Sequence, residues 1–306
     1  MSKHVVVLMG GWSAEREVSL VSGRECANAL EAEGYRVTRI DVDRNIACTL
    51  AGLDPRPDVV FNALHGRWGE DGCIQGLLEI MGLPYTHSGP MASALAMNKE
   101  AAKHIFAGIG IPCAEGVVAH RDQIGQPSPL QRPFVVKPNN EGSSVGVRIV
   151  AAGDNDDRLI EDDFRYGDEV MVETFIPGRE LTVAVMGDES LAVTEISTDQ
   201  GFYDYHNKYT AGGSHHVVPA PIDAGAYAEA QDYALRAHRA LGCRGVSRAD
   251  FRYDDTAGEP GRLFILEVNT QPGMTPLSLV PEQAAHRGMS FGKLVSWMVE
   301  HARCDA

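Results

Sequence analysis

The chain has 306 residues, 44% of them hydrophobic and 23% charged, which suits two or three packed units of ordinary globular chemistry. Its 42 acidic and 27 basic residues leave a formal charge of −15. Such a field repels nucleic acid and anionic membrane, and any anionic ligand must rely on a local cluster of Lys, Arg and metal. No apolar run reaches the roughly 18 residues that span a bilayer, and the run Val5–Met9 is too short for a signal-peptide core. The six cysteines include no Cys-x-x-Cys pair, which argues against a zinc site or disulfide framework and for a reducing cytosol.

In chain order, Val5 to Met9 reads as a buried strand. Leu20, Gly23, Ala27 and Leu30 fall on one helical stripe that ends at Gly34. Val37–Val42 and Val59–Leu64 read as further strands and Ile74–Met81 as a helix. Strands alternating with helices predict an α/β unit with a parallel, doubly wound sheet. Ligands of such sheets sit beyond the carboxyl ends of the strands. Two Gly-rich turns fall there, Gly10–Glu15 and His65–Gly72.

A helix is expected from Asn98 to Ala107. Short strands follow at Phe134–Pro138, Val147–Val150, Val170–Ile176, Leu181–Met186 and Leu191–Ile196, with a helix near Asp156–Phe164. This texture predicts antiparallel sheet of α+β type. Ser197–Ser214 is a long Gly-, Tyr- and His-rich loop, of the kind that is functional or disordered. A helix over Ala224–Leu241, strands over Gly245–Tyr253 and Arg262–Asn269, and a helix over Phe291–Ala302 complete the chain.

The two C-terminal strands carry the strongest chemistry. Alternation puts Arg248, Asp250, Arg252 and Asp254 on one face, which is either a solvated strand face or a site. Leu263–Leu266 is apolar on both faces, and Glu267 and Asn269 follow two apart. If the strands pair, Asp250, Glu267 and Asn269 converge as hard oxygen ligands suited to Mg²⁺ shared with phosphates. The structural alternative is a salt bridge between Arg248 and Glu267.

Lys137 ends a strand just before the Gly/Ser-rich turn Asn139–Gly146, a pattern that suits an anion, though an ordinary hairpin has the same look. Lys99 opens a helix, where its charge opposes the dipole, so it faces either an anionic ligand or solvent. Phe202, Tyr203, Tyr205 and Tyr209 read as a lid or as a loop packed by its own aromatics. His65, at a strand end, is either a satisfied structural residue or part of a site.

Taken together, these segments resemble the D-alanine–D-alanine ligases. Gly10–Ser19 resembles their N-terminal signature and His65–Gly72 their second. Lys137–Pro138 through Glu141–Gly146 is similar to their glycine-rich loop. Phe202–Tyr205 with Lys208–Tyr209 resembles their omega loop, and Leu266–Thr275 with Ser278–Pro281 their closing signature. The resemblance implies an ATP-grasp fold in three parts: an α/β substrate domain over 1–97, a central subdomain over 98–180, and a C-terminal subdomain over 181–306 that carries the omega loop and metal site. It implies ATP as co-substrate, two Mg²⁺ ions with Mn²⁺ as an alternative, a homodimer, and a cytoplasmic place in peptidoglycan precursor synthesis.

It also implies roles. Glu15, linked to Ser143 and Tyr209, orients the first D-alanine ammonium, and His65 lies near that substrate's carboxylate. Lys99 and Lys137 contact ATP phosphates and Lys208 the γ-phosphate, while Glu173 meets the adenine amino group and Glu180 the ribose. Arg248 and the Gly273 N–H stabilise the oxyanion. Ser278 and the Leu279 backbone hold the second carboxylate, and Asp250, Glu267 and Asn269 bind the metal. The base for the attacking amine stays open between His65, Tyr209 and the phosphate itself.

Four positions depart from the family pattern: Trp68, Thr174 where Lys is common, Ser247-Arg248-Ala249-Asp250, and Ser214-His215-His216. Thr174 bears on nucleotide affinity and the last on lid closure. The rival readings are a depsipeptide ligase that takes D-lactate, a silent nucleotide-binding regulator, and a different amino-acid ligase. The intact Tyr205–Tyr209 segment favours an amine as second substrate.

Overall fold

β1 (His4–Gly10) is buried on both faces, with Val5, Val6, Val7 and Leu8 fully enclosed, as a central parallel strand must be. It is flanked by β2 (Arg36–Val42) and β3 (Val59–Asn62), both parallel to it. The side-chain period of two then divides the core. Val5, Val7 and Phe61 pack on Cys26, Ala27 and Leu30 of α1 (Arg16–Ala32). Val6, Leu8 and Val60 pack on the opposite face. There α2 (Ile46–Gly52) contributes Leu50, and α3 (Cys73–Ile80) contributes Ile74 and Leu78. Helices therefore cover both faces, which is the doubly wound arrangement the sequence predicts.

The computed structural model describes residues 2–120, 130–142, 146–153, 169–198 and 213–305. The helix expected near Asp156–Phe164 and most of the 197–214 loop lie outside these residues. Two helices run in succession, α4 (Pro90–Met97) and α5 (Lys99–Gly108). Asn98 separates them with an extended backbone, and its side chain caps α5 by accepting from the Ala101 N–H at 2.9 Å.

The first antiparallel sheet contains β4 (Gly116–His120), β5 (Phe134–Pro138), β6 (Arg148–Val150) and β7 (Glu169–Thr174), in the order β4-β7-β5-β6. Phe134, Val136, Val150, Val170 and Val172 form its small core.

The second contains β8 (Arg179–Met186), β9 (Glu189–Ser197), β10 (His215–Val217), β11 (Val246–Asp254) and β12 (Arg262–Asn269). Its order is β10-β9-β8-β11-β12. One face carries α6 (Ala224–Ala240), whose Ala226, Ala230, Ala234 and Ala237 allow close approach to Val183, Val193 and Phe251. The chain then returns through α7 (Leu279–His286) and α8 (Phe291–Glu300). Val280, Leu294, Val295 and Met298 of these helices join Val5 and Val7 under the N-terminal sheet. The C-terminal helices thus complete the N-terminal core.

β11 and β12 pair antiparallel with a bulge. Asp250 lies opposite Glu267 and Arg248 opposite Asn269, yet Phe251 lies opposite Ile265, so Leu266 is the extra residue. Before the bulge Leu263 and Ile265 face the core; after it Val268 does. Without the bulge, simple alternation would turn Glu267 into the same core as Ile265.

Candidate functional site

Between the two antiparallel sheets lies an open cleft that holds about 810 Å³ of non-atom space, solvent at its mouth included. Lys99, Lys137, Glu173, Glu180, Asp250 and Glu267 all line it. They come from five different strands and the first turn of α5. Its apolar walls are Val135, Val147, Ile149, Phe175, Ile176 and Leu266. A planar ring system can rest among such side chains while the charged groups meet a polar tail.

Glu173 is the most heavily compensated group in the cleft. It is 3% exposed, and Lys103 Nζ donates to its Oε2 at 2.7 Å while Lys137 Nζ pairs with its Oε1. Burial alone raises its pKa, but Lys137 and Lys103 outweigh burial and hold it below the ordinary 4.5. Beside it, Arg252 Nη1 lies 3.7 Å from Glu180 Oε2, and burial lowers the guanidinium from its usual value.

At the other end of the cleft, Asp250 receives Arg248 through Nε at 2.8 Å and Nη2 at 2.6 Å, and the Thr182 hydroxyl at 2.6 Å. Lys99 Nζ is 3.3 Å from Glu267 Oε2 and also donates to the Glu141 carbonyl. These two pairs replace the Arg248–Glu267 bridge considered above. Asn269 Oδ1 accepts the Gln271 N–H at 2.7 Å and keeps a second lone pair. Two carboxylates and an amide oxygen therefore sit together at the end of paired strands. Among the described residues no three His, Cys, Asp or Glu side chains form a preformed cage. A cation here needs further oxygens from its ligand, which fits Mg²⁺ held jointly with phosphates.

A smaller cavity of about 310 Å³ adjoins the cleft. Lys99, Glu141, Gly142 and Glu267 line both, and Glu70, Asn269 and Thr270 close its far side. Burial raises the Glu141 carboxyl pKa, although Arg67 and Lys99 oppose the rise.

The N-terminal turns approach this second cavity. A methyl placed on Gly142 would lie 3.4 Å from Glu15 Oε2 and 3.6 Å from Glu70 Oε2. Gly66 has φ +70°, and a Cβ there would meet Glu15 Oε2 at 2.6 Å, so this turn needs glycine on both counts. Ser13 donates to the His65 carbonyl at 2.7 Å and accepts the Glu15 N–H at 3.1 Å, fixing the two turns together. His65 Nδ1 lies 3.2 Å from Glu70 Oε1 and its Nε2 2.9 Å from Ser22 Oγ.

Gly273 faces Ser278: a Cβ on Gly273 would be 2.9 Å from Ser278 Oγ. That oxygen accepts the Thr275 N–H at 2.8 Å. Leu279 packs on Ile196. Gln271 spans to the N-terminal sheet, with Oε1 accepting from Asn62 Nδ2 at 2.6 Å and Nε2 donating to the Leu64 carbonyl.

Thus six of the expected groups share one cleft, and Asn269 joins Lys99 and Glu267 in the adjoining cavity. Glu15, His65, Arg248, Gly273 and Ser278 line neither of these two spaces; Arg248 reaches the cleft through Asp250, and Glu15 stands beside Gly142. Ser143, Lys208 and Tyr209 lie outside the described residues. Sequence reasoning missed Lys103, Ser22, Asn62 and Gln271. Only Lys103 left a trace, four residues after Lys99 and hence on the same helical face.

Of the departures, Trp68 adopts φ +76° and sits 6.0 Å from Trp12 between ring centroids, with Arg67 over its face. Thr174 lines the cleft. Ser247 bonds His238 Nδ1 at 2.7 Å. His216 reaches Glu282 at 3.3 Å.

Comparison with known proteins gives a uniform result. The family described as D-ala D-ala ligase C-terminus matches residues 106–300, and D-ala D-ala ligase N-terminus matches 49–88. The D-alanine–D-alanine ligase of Parvibaculum lavamentivorans is 62% identical, covering 99% of each chain. The D-alanine–D-alanine ligase B of Mesorhizobium japonicum is 60% identical, again covering 99% of each. Among solved structures, the D-alanine–D-alanine ligase from Bacillus anthracis complexed with ATP superimposes with a TM-score of 0.82. It is 30% identical and covers 98% of this chain and 97% of its own.

Proposed function

This chain belongs to the D-alanine–D-alanine ligase family, and on that premise we propose that it joins two D-alanine molecules into D-alanyl-D-alanine at the expense of ATP. The product is a peptidoglycan precursor. The observation that carries the reading is the cleft in which Lys99, Lys137, Glu173, Glu180, Asp250 and Glu267 converge beside a smaller polar cavity.

A carboxylate resists attack by an amine, so it is first phosphorylated. The carboxylate oxygen of the first D-alanine takes the γ-phosphoryl group, and ADP leaves. This step is mainly positioning and charge neutralisation, assigned to Lys99, Lys137 and Lys208. Glu173 and Glu180 are assigned to adenine and ribose. Asp250, Glu267 and Asn269 are assigned to two Mg²⁺ ions, or Mn²⁺, which supply electrostatic stabilisation of the phosphate charge.

The second amine then attacks the acyl carbon of D-alanyl phosphate. The C–N bond forms, the oxyanion collapses, and inorganic phosphate departs. Arg248 and the Gly273 N–H are assigned to the oxyanion. Glu15, with Ser143 and Tyr209, is assigned to the first ammonium and His65 to the region of its carboxylate. Ser278 and the Leu279 backbone are assigned to the second carboxylate. His65, Tyr209 and phosphate are the candidates for the proton acceptor.

We further propose the three-part division at residues 97 and 180, a homodimer, and a cytoplasmic location. Among the described residues no helix is long and apolar enough to cross a membrane, and all six cysteines are free.

The test is product identification with ATP, Mg²⁺, D-alanine and D-lactate. The expected outcome is D-alanyl-D-alanine with one ADP and one phosphate per dipeptide. Preferred formation of D-alanyl-D-lactate, or ADP release without dipeptide, would overturn it.

A further inference from the structure

Ser22 sits in α1 with no exposure and is bonded to two parts of the molecule distant in sequence. The Met274 N–H points at its Oγ at 3.2 Å, and His65 Nε2 lies 2.9 Å from the same oxygen. A backbone N–H can only donate, so Ser22 Oγ accepts from Met274. A serine oxygen can accept a second time, so this contact alone fits either donor, and the far side of the ring decides between them. The opposite ring nitrogen, Nδ1, faces Glu70 Oε1 at 3.2 Å. An ionised carboxylate only accepts, so the ring proton belongs on Nδ1.

The bonds therefore run in one direction: Met274 N–H to Ser22, Ser22 O–H to His65, His65 Nδ1–H to Glu70. His65 is 4% and Glu70 6% exposed, so little water competes. We infer that Ser22 is a positioning residue that locks His65 as the neutral Nδ1–H tautomer and ties it to the Gly273–Met274 turn. This rests on the ligase reading of the site, in which Gly273 N–H meets the oxyanion and the His65–Gly66 turn borders the first substrate's Glu15. A lock of this kind removes His65 from the candidates for the base, because its Nε2 lone pair is already occupied. It also gives the oxyanion turn a support on α1.

The first experiment is ¹⁵N NMR of the imidazoles in wild-type protein, with His65→Gln for assignment. The expected pattern for His65 is a protonated Nδ1 and an unprotonated Nε2. A protonated Nε2 would overturn the inference. The second is steady-state kinetics with Ser22→Ala and Ser22→Thr; alanine preserves helix propensity, and threonine restores the hydroxyl. Ser22→Ala is expected to lower kcat by roughly ten- to a hundredfold with KM for ATP unchanged, since only the geometry at the reacting carbon is disturbed. Ser22→Thr is expected to regain most of that loss. Wild-type kcat in Ser22→Ala, or equal losses in both folded variants, would contradict the assignment. The tautomer readout does not depend on turnover, so an inactive wild type counts against the ligase reading alone.

Discussion

Where the two antiparallel sheets face each other, the site is made of charge. Lys103 and Lys137 close on Glu173, Arg248 on Asp250, and Lys99 on Glu267. Where the N-terminal sheet meets the turn after β12, it is made of neutral hydrogen bonds and close backbone approach. Ser13, Ser22, Asn62 and Gln271 bind carbonyls, amides and one imidazole. On the proposed reading, the first region serves a ligand whose charge must be neutralised. On the same reading, the second serves atoms that must be placed to within a fraction of an ångström. The difference teaches that removing a charge should cost most in the first region, and adding volume most in the second.

The largest effect is expected for Glu267→Gln. It removes a charge opposite Asp250 while keeping the shape, and kcat should fall by about a thousandfold, in line with several kcal/mol of electrostatic stabilisation. Thermal unfolding should be unchanged within a few degrees. A wild-type rate with Mg²⁺ would break the charge side of the comparison.

Gly273→Ala comes next. Its Cβ would lie 2.9 Å from Ser278 Oγ, so either the Ser278 hydroxyl rotates away from the Thr275 N–H that it accepts or the turn shifts and its N–H with it. A loss of roughly a hundredfold in kcat is expected, the scale of one oxyanion donor. The change adds no charge and removes none, so this result isolates the geometric side.

Lys103→Met sharpens the first region. Glu173 would keep Lys137 but lose its second partner, and its pKa would rise because burial is then less well opposed. KM for ATP should rise about tenfold with a smaller change in kcat. An unchanged KM would detach Lys103 from nucleotide binding.

How far these regions could be read in advance follows from the same contrast. Charged groups at strand ends announce themselves, because burying one alone is costly. Asp250, Glu267 and Lys137 were therefore legible as candidates, as were the parallel sheet and the pairing of the last two strands; Lys99, at a helix start, stayed open between an anionic ligand and solvent. The bulge at Leu266 was not: four apolar residues in a row give no sign of where the alternation resets. α7 and the completion of the N-terminal core by α7 and α8 were also hidden, since that packing joins residues nearly the whole chain apart. In α1 the buried stripe runs through Val18, Ser19, Ser22, Gly23 and Cys26, with Leu20 only half-buried. Two serines on an inward face look like weak helix residues until their partners, Ala63 for Ser19 and His65 for Ser22, are known.

The smallest effect concerns pH. His87 is fully enclosed, and burial, with the nearby Arg244 charge, lowers its pKa from 6.5 to about 3. The folded state thus binds its proton less readily than the unfolded state. Its stabilising contribution is complete above pH 6.5 and is lost as pH falls towards 3, with a slope of at most about 1.4 kcal/mol per pH unit. His87 has φ +70°, which Asn tolerates. His87→Asn should flatten the stability profile between pH 4 and 6.5 in urea unfolding. His238, lowered to about 4 by burial, retains a slope of the same sign. An unaltered profile would remove His87 as a source of acid sensitivity.

The central claim is that the first carboxylate becomes an acyl phosphate in the cleft between the sheets. D-alanine carrying ¹⁸O in its carboxyl group measures this most directly. Phosphoryl transfer to that carboxylate leaves its oxygen bridging carbon and phosphorus, and attack by the amine then releases it with phosphate. The expected result is one ¹⁸O per inorganic phosphate formed with dipeptide. Dipeptide accompanied by unlabelled phosphate would contradict the account.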